Sequence, residues 1–218
     1  QLHMSFSMML SQMSEGMLNT LGVFILTLLF SMPLGFVVAF GRMSKCRPVS
    51  GFTRIFISIM RGTPLMLQLM VVYFFPYYLF GLSIGAWRFP AIILGFSINY
   101  AAYFAEIYRS GIEAIPKGQY EAAAILGYNK VQTFLKIILP QVIKIILPSV
   151  TNEVITLVKD TSLAYSLSYI EMFSIAKQIA ARETTLMPFA ISAVFYYIFN
   201  LLVTFVMEKL EKKMNYYK

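Results

Sequence analysis

The sequence predicts an all-α integral membrane protein of about five transmembrane helices, and three observations carry that reading. Of its 218 residues, 58% are hydrophobic and only 13% are charged, against the roughly 25% charged residues of soluble domains. Apolar stretches of the roughly 20 residues that a helical span needs recur near 17–40, 52–80, 87–108, 137–159 and 186–207. The 18 Lys and Arg also gather on alternate loops. Residues 41–54 and 106–136 and the C-terminal end hold twelve of them, the intervening loops hold Arg88, Lys159, Lys177 and Arg182, and Arg61 and Lys144 fall inside spans. The positive-inside rule then places the N-terminus outside and the C-terminus in the cytoplasm. A membrane distribution accounts for the net charge of +8 without any nucleic-acid partner.

Residues 1–16, QLHMSFSMMLSQMSEG, lack the basic start, apolar core and small-residue cleavage site of a secretory signal. They read as a short N-terminal surface segment. Residues 17–212 are expected to form a single transmembrane domain, and 213–218 a cytoplasmic tail. Spans one and five carry no charge, so function is expected in the middle spans. The lone Cys46 permits no internal disulfide, and the lone His3 makes a metal site improbable.

Span two is interrupted by RGTPLMLQL, residues 61–69. Gly62 permits an unwound turn, Thr63 is a good N-cap and Pro64 suits a first helical position, which predicts a new helix there. The free N–H groups of such a start favour an anion. Thr63, with Gln68 further along, is a candidate contact for a substrate carboxylate. In span three Asn99 and Tyr103 lie four apart on one face and are candidates for lining a path. Glu106 and Arg109 read as a local ion pair.

The loop 106–136 is too long to be a mere connection. The stretch Pro116 to Gln119 reads as a turn, followed by a short helix from Glu121 to Leu126 that Gly127 ends. Span four closes on NEVITLVKDTSL, residues 152–163. Seven helical residues turn through about 700°, so Glu153 and Asp160 fall some 20° apart and roughly 10 Å along one face. Thr156 lies between them and Asn152 at the margin. An acid at the bilayer centre costs about 3 kcal/mol even on insertion scales, so this stripe must face protein or water. It is the candidate substrate site. Its null alternative is architectural, with Asp160 capping the bend or pairing with Lys159 or Arg182.

Glu121-Ala122-Ala123, then Gly127, Ile137 and Leu139-Pro140, reproduce the spacing of the EAA motif, and the chain resembles the permease subunits of ABC importers. MRGTPLMLQL, AEIYRSGIEAIPKGQ and VKDTSL are similar to the polar amino acid permeases of that group, and the likeness extends over about residues 15–210. The resemblance implies a type I ABC importer-like fold with a cytoplasmic coupling helix. Glu121, Ala122, Ala123 and Gly127 would contact a separate ATPase. It further implies a second permease subunit, identical or related, an extracytoplasmic substrate-binding protein and a bacterial plasma-membrane location. Loops 81–88 and 159–185 would be the landing surface for the binding protein.

No G-x-x-x-x-G-K-[ST] phosphate loop occurs in the sequence, so this chain is expected not to be an enzyme. ATP and Mg would be bound by the partner ATPase and no cofactor by this chain. A lone acid in a path attracts a cationic side chain, which points to a basic amino acid: arginine, lysine or histidine. The alternatives are a glutamine or other polar amino acid permease with architectural carboxylates, and an ion-coupled secondary carrier in which Glu153 and Asp160 hold a proton or sodium.

Overall fold

A computed structural model describes residues 4–214; His3 and the last four residues of the expected tail lie outside the described residues. Helix α1 runs Phe6–Arg42, α2 Arg47–Gly62, α3 Leu65–Phe80, α4 Arg88–Glu113, α5 Lys117–Ile125 and α6 Lys130–Thr133. A π turn, Phe134–Ile138, leads into α7, Leu139–Asp160. A 3-10 turn, Thr161–Leu167, is followed by α8, Met172–Glu183, and α9, Met187–Met214. The helices α1, α4 and α9 and the stretch Lys130–Leu167 are long and apolar enough to cross a membrane. Helices α2 and α3, bent by 113° at the break between them, are long and apolar enough only when taken together as one broken segment. Exposed residues such as Leu18, Ile25 and Leu29 on α1 and Val194, Leu201 and Phe205 on α9 are apolar, as a lipid-facing surface requires.

Helix α4 is the centre of the bundle. Small residues let its neighbours approach closely, the usual device where lipid offers no hydrophobic drive between helices. Gly35 of α1 presses on Phe104 and Tyr108, so that a Cβ there would stand 2.8 Å from Phe104 Cβ. Phe36 stacks on Tyr108 with ring centroids 4.0 Å apart. Gly95 receives Leu69 of α3, and Gly111 receives Ile146 and Val142 of α7. Ala101, Ala102 and Ala105 on the same helix are fully buried.

Residues 6–16 are not a separate surface segment. They are the opening turns of α1, capped by Ser5, whose Oγ accepts from Met8 N at 3.3 Å. Met9, Met13 and Gly16, spaced four and three apart, face Met172, Ala176 and Ile179 of α8, and that packing extends the helix beyond the lipid-facing run.

The break in span two stands where the sequence puts it, but Thr63 closes α2 rather than opening α3. Its backbone is extended and its hydroxyl donates to Ile59 O at 2.8 Å. Pro64 precedes the first helical residue, Leu65. In the loop after α4, Pro116 starts α5 one turn earlier than expected, so Lys117 to Gln119 are helical rather than a turn. Gly127 takes a left-handed φ of +80° that ends this segment.

Between α7 and α8, Glu171 is fully buried and caps α8, accepting from Phe173 N and Ser174 N, both at 2.7 Å. Tyr196 of α9 donates to the same carboxylate at 3.1 Å, and Met172 N donates to Thr20 Oγ1 of α1 at 3.2 Å. Burial pushes the Glu171 carboxyl up to about 7, against the N–H and O–H donors that favour its ionised form.

Two predictions follow from this packing. Gly111→Val should cost roughly 1–3 kcal/mol through overpacking against Ile146 and lower the Tm of the purified chain by several degrees. Gly22→Ala, with open space around it, should leave Tm unchanged or slightly raised. Because the native state holds the Glu171 proton more tightly than the unfolded chain, stability is greatest at acid pH. It should fall by up to about 3 kcal/mol as pH rises from the unfolded carboxyl value to about 7, then level off. Thermal melts across that range should show the slope in wild type and its loss in Glu171→Gln.

Candidate functional site

The acidic stripe of α7 exists as a continuous helical face. Val150, Val154, Leu157 and Val158 bury the opposite side and so hold the carboxylates at the edge of the packed core. Asp160 Oδ2 accepts from Tyr100 OH of α4 at 2.7 Å, which fixes its position. Glu153 is half-buried, and no hydrogen bond or ion pair ties it to another described residue. Arg61 and Asp160 are the charges that bear on it. Asn152 and Thr156 are exposed beside it, and Thr156 Oγ1 donates to Asn152 O at 2.9 Å.

The other candidates gather at the break in span two. Gln68 Nε2 donates to Met60 O at 2.9 Å, to Thr63 O at 3.1 Å and to Thr63 Oγ1 at 2.8 Å. Asn99 Nδ2 donates to Met60 O at 3.1 Å and to Gln68 Oε1 at 2.8 Å. Two amides thus bond carbonyls that the end of α2 leaves without helical donors, and Thr63, Gln68 and Asn99 form one network with each other. Tyr103, one turn along α4 from Asn99, lies under Arg61, whose Cζ is 5.3 Å from the ring centroid.

The structure therefore sets the candidates in two groups, Glu153 and Asp160 on one face of α7 and Thr63, Gln68 and Asn99 in one hydrogen-bonded network, with Tyr103 under Arg61 and 6.2 Å from the ring of Tyr100. Sequence reasoning missed Tyr100, whose only signal is its place three residues before Tyr103. It also read Arg61 only as a charge within a span.

At the C-terminal end of α4, Arg109 pairs with Glu106 at 2.7 Å and with Glu113 at 2.6 Å, which braces the last turns of α4 before the loop. Helix α5 rests on the α6 and π-turn segment. Ala123 is turned under it and buried, whereas Glu121, Ala122 and Gly127 face outward. Ile125 and Leu126 are 87% and 72% exposed, an apolar pair that no described residue covers. Among the described residues no group of three or more His, Cys, Asp or Glu could hold a metal ion.

Residues 31–216 match the model of the family described as the binding-protein-dependent transport system inner membrane component, and the chain belongs to that family of membrane permease subunits. Within it the chain is similar to amino acid permeases. It is 36% identical to the L-cystine transport system permease protein TcyB of Bacillus subtilis (strain 168), over 94% of this chain and 87% of that one. It is 38% identical to the putative glutamine transport system permease protein GlnP of Rickettsia felis (92% and 91%). It is 37% identical to the arginine transport system permease protein ArtQ of Bacillus subtilis (92% and 91%). The crystal structure of an amino acid ABC transporter with histidines superposes with a TM-score of 0.84 at 29% identity, covering 96% of this chain and 99% of that one. A methionine ABC transporter in an inward-facing conformation has the same fold at 20% identity and a TM-score of 0.75. These likenesses define the chain as an amino acid ABC transporter permease of the type I importer fold.

Proposed function

We propose that this permease carries basic amino acids, arginine, lysine or histidine, inward across a bacterial plasma membrane, with its N-terminus outside. The observation that carries the reading is Glu153: a half-buried carboxylate with no partner among the described residues, beside an Asp160 already held by Tyr100. An unpaired acid at membrane depth is costly, and a cationic side chain entering the site would relieve that cost. The exposed polar edge of α7, with Asn152 and Thr156, fits a water-filled path closed by a second permease subunit. Glutamine is the competing cargo, favoured by the relatives named for it and by the ability of a carboxylate to accept from an amide.

The permease performs no chemistry itself. A separate ATPase would grip α5, and the extracytoplasmic binding protein would deliver cargo to the outer segments 81–88 and 159–185. ATP binding drives the inward-to-outward switch only by favouring one state over the other. The exposed Ile125 and Leu126 supply the apolar contact through which that preference reaches α4 and α7.

Two experiments test this. In ATP-loaded proteoliposomes holding the chain with its ATPase and binding protein, Glu153→Gln should cut arginine uptake about tenfold or more, the loss of one charge-assisted contact. Glutamine uptake that the substitution leaves unaffected would make the stripe architectural. Replacing Ile125 and Leu126 together with Asp should leave the permease folded, because both side chains stand clear of its core. The same change should abolish co-elution with the ATPase on a sizing column, and an unaltered complex would remove α5 from the coupling contact.

A further inference from the structure

Arg61 is a charge that the reading above leaves unused. It sits in the last turn of α2, yet it does not close the end of its own helix, since the Met60 carbonyl is taken by Gln68 and Asn99. No hydrogen bond or ion pair joins it to another described residue. What holds it is the Tyr103 ring, over which the guanidinium lies at 5.3 Å. A guanidinium packed on an aromatic face keeps its N–H edge free, and that edge matches a carboxylate bidentately.

Arg61 and Glu153 are thus a cation and an anion without an ion pair among the described residues, and aromatic rings join their surroundings: Tyr103 under Arg61 lies 6.2 Å from the ring of Tyr100, which donates to Asp160 on the Glu153 face. We propose that Arg61, laid against Tyr103, holds the α-carboxylate of the amino acid whose cationic end Glu153 receives. The inference rests on the function proposed above and adds the second end of its site. The carboxylate contact then belongs to a side chain at the end of α2 rather than to the N–H groups that open α3.

The test compares arginine with agmatine, its decarboxylated analogue, in calorimetric titrations of the purified permease–ATPase complex. Wild type should bind arginine more tightly than agmatine. Arg61→Gln should weaken arginine about tenfold to a hundredfold and leave agmatine unchanged, so that the preference disappears. Tyr103→Leu, which keeps the charge and removes its platform, should move in the same direction by less and covers the case in which Arg61→Gln fails to assemble. Glu153→Gln should weaken both ligands. Equal weakening of arginine and agmatine by Arg61→Gln, or no effect on either, would overturn the assignment. If wild type binds glutamine instead of arginine, the basic-cargo reading fails, and glutamine against 4-aminobutanamide then tests Arg61 by the same criterion. Binding of neither amino acid overturns both.

Discussion

At membrane depth a backbone carbonyl that loses its helical donor has no water to replace it, and span two creates such carbonyls by ending α2 and starting α3 at 113° to it. Gln68 and Asn99 answer this from two directions, converging on Met60 O and on each other. The bend is therefore held by side chains of α3 and α4. Because it is held, Arg61 projects over Tyr103 and stays within electrostatic reach of Glu153. The polar site depends on a backbone irregularity that its own neighbours make tolerable.

Helix α4 joins this site to the inner surface. It carries Asn99, Tyr100 and Tyr103 at one level and, two to three turns on, the Glu106, Arg109 and Glu113 cluster that precedes α5. Contact at Gly111 leaves no room between α4 and α7. Helix α7 begins directly after the α6 and π-turn segment on which α5 rests. Displacement of α5 by a partner would therefore be passed to both walls of the site at once, through packing too tight to absorb it.

The sequence made the spans legible because apolar length is a direct requirement of the bilayer: four of the expected stretches lie within long apolar helices that extend past their expected ends, and the second falls on the bent pair α2 and α3. The break at Gly62 to Pro64 was legible from local chemistry, and so was the shared face of Glu153 and Asp160. What stayed hidden depends on neighbours distant in sequence. The spacing of Met9, Met13 and Gly16 is a helical signal, but only α8, more than 150 residues away, shows that it is used. Glu171 stands in a stretch with no apolar periodicity, and only Phe173 N, Ser174 N and Tyr196 turn it into a buried cap. Tyr100 and Arg61 likewise acquire meaning from Asp160 and Tyr103. Helix α5 began a turn early because proline, read as a turn former, is equally a helix opener.

The bent span also bears on how the chain enters its membrane during synthesis. Helices α2 and α3 have 16 residues each, short of the roughly 20 that cross a bilayer. Helix α2 also brings Arg47, Arg54 and Arg61, spaced so that they fall on one stripe, and a central Arg costs about 2.5–3.5 kcal/mol on insertion scales. As it leaves the ribosome, α2 has no reason to remain in lipid, and of the two amides that close its end, those of Gln68 and Asn99, the second is still to be made. Stable insertion of this segment must therefore wait for α4, so that the membrane topology of the second span is settled by folding and not by hydrophobicity alone.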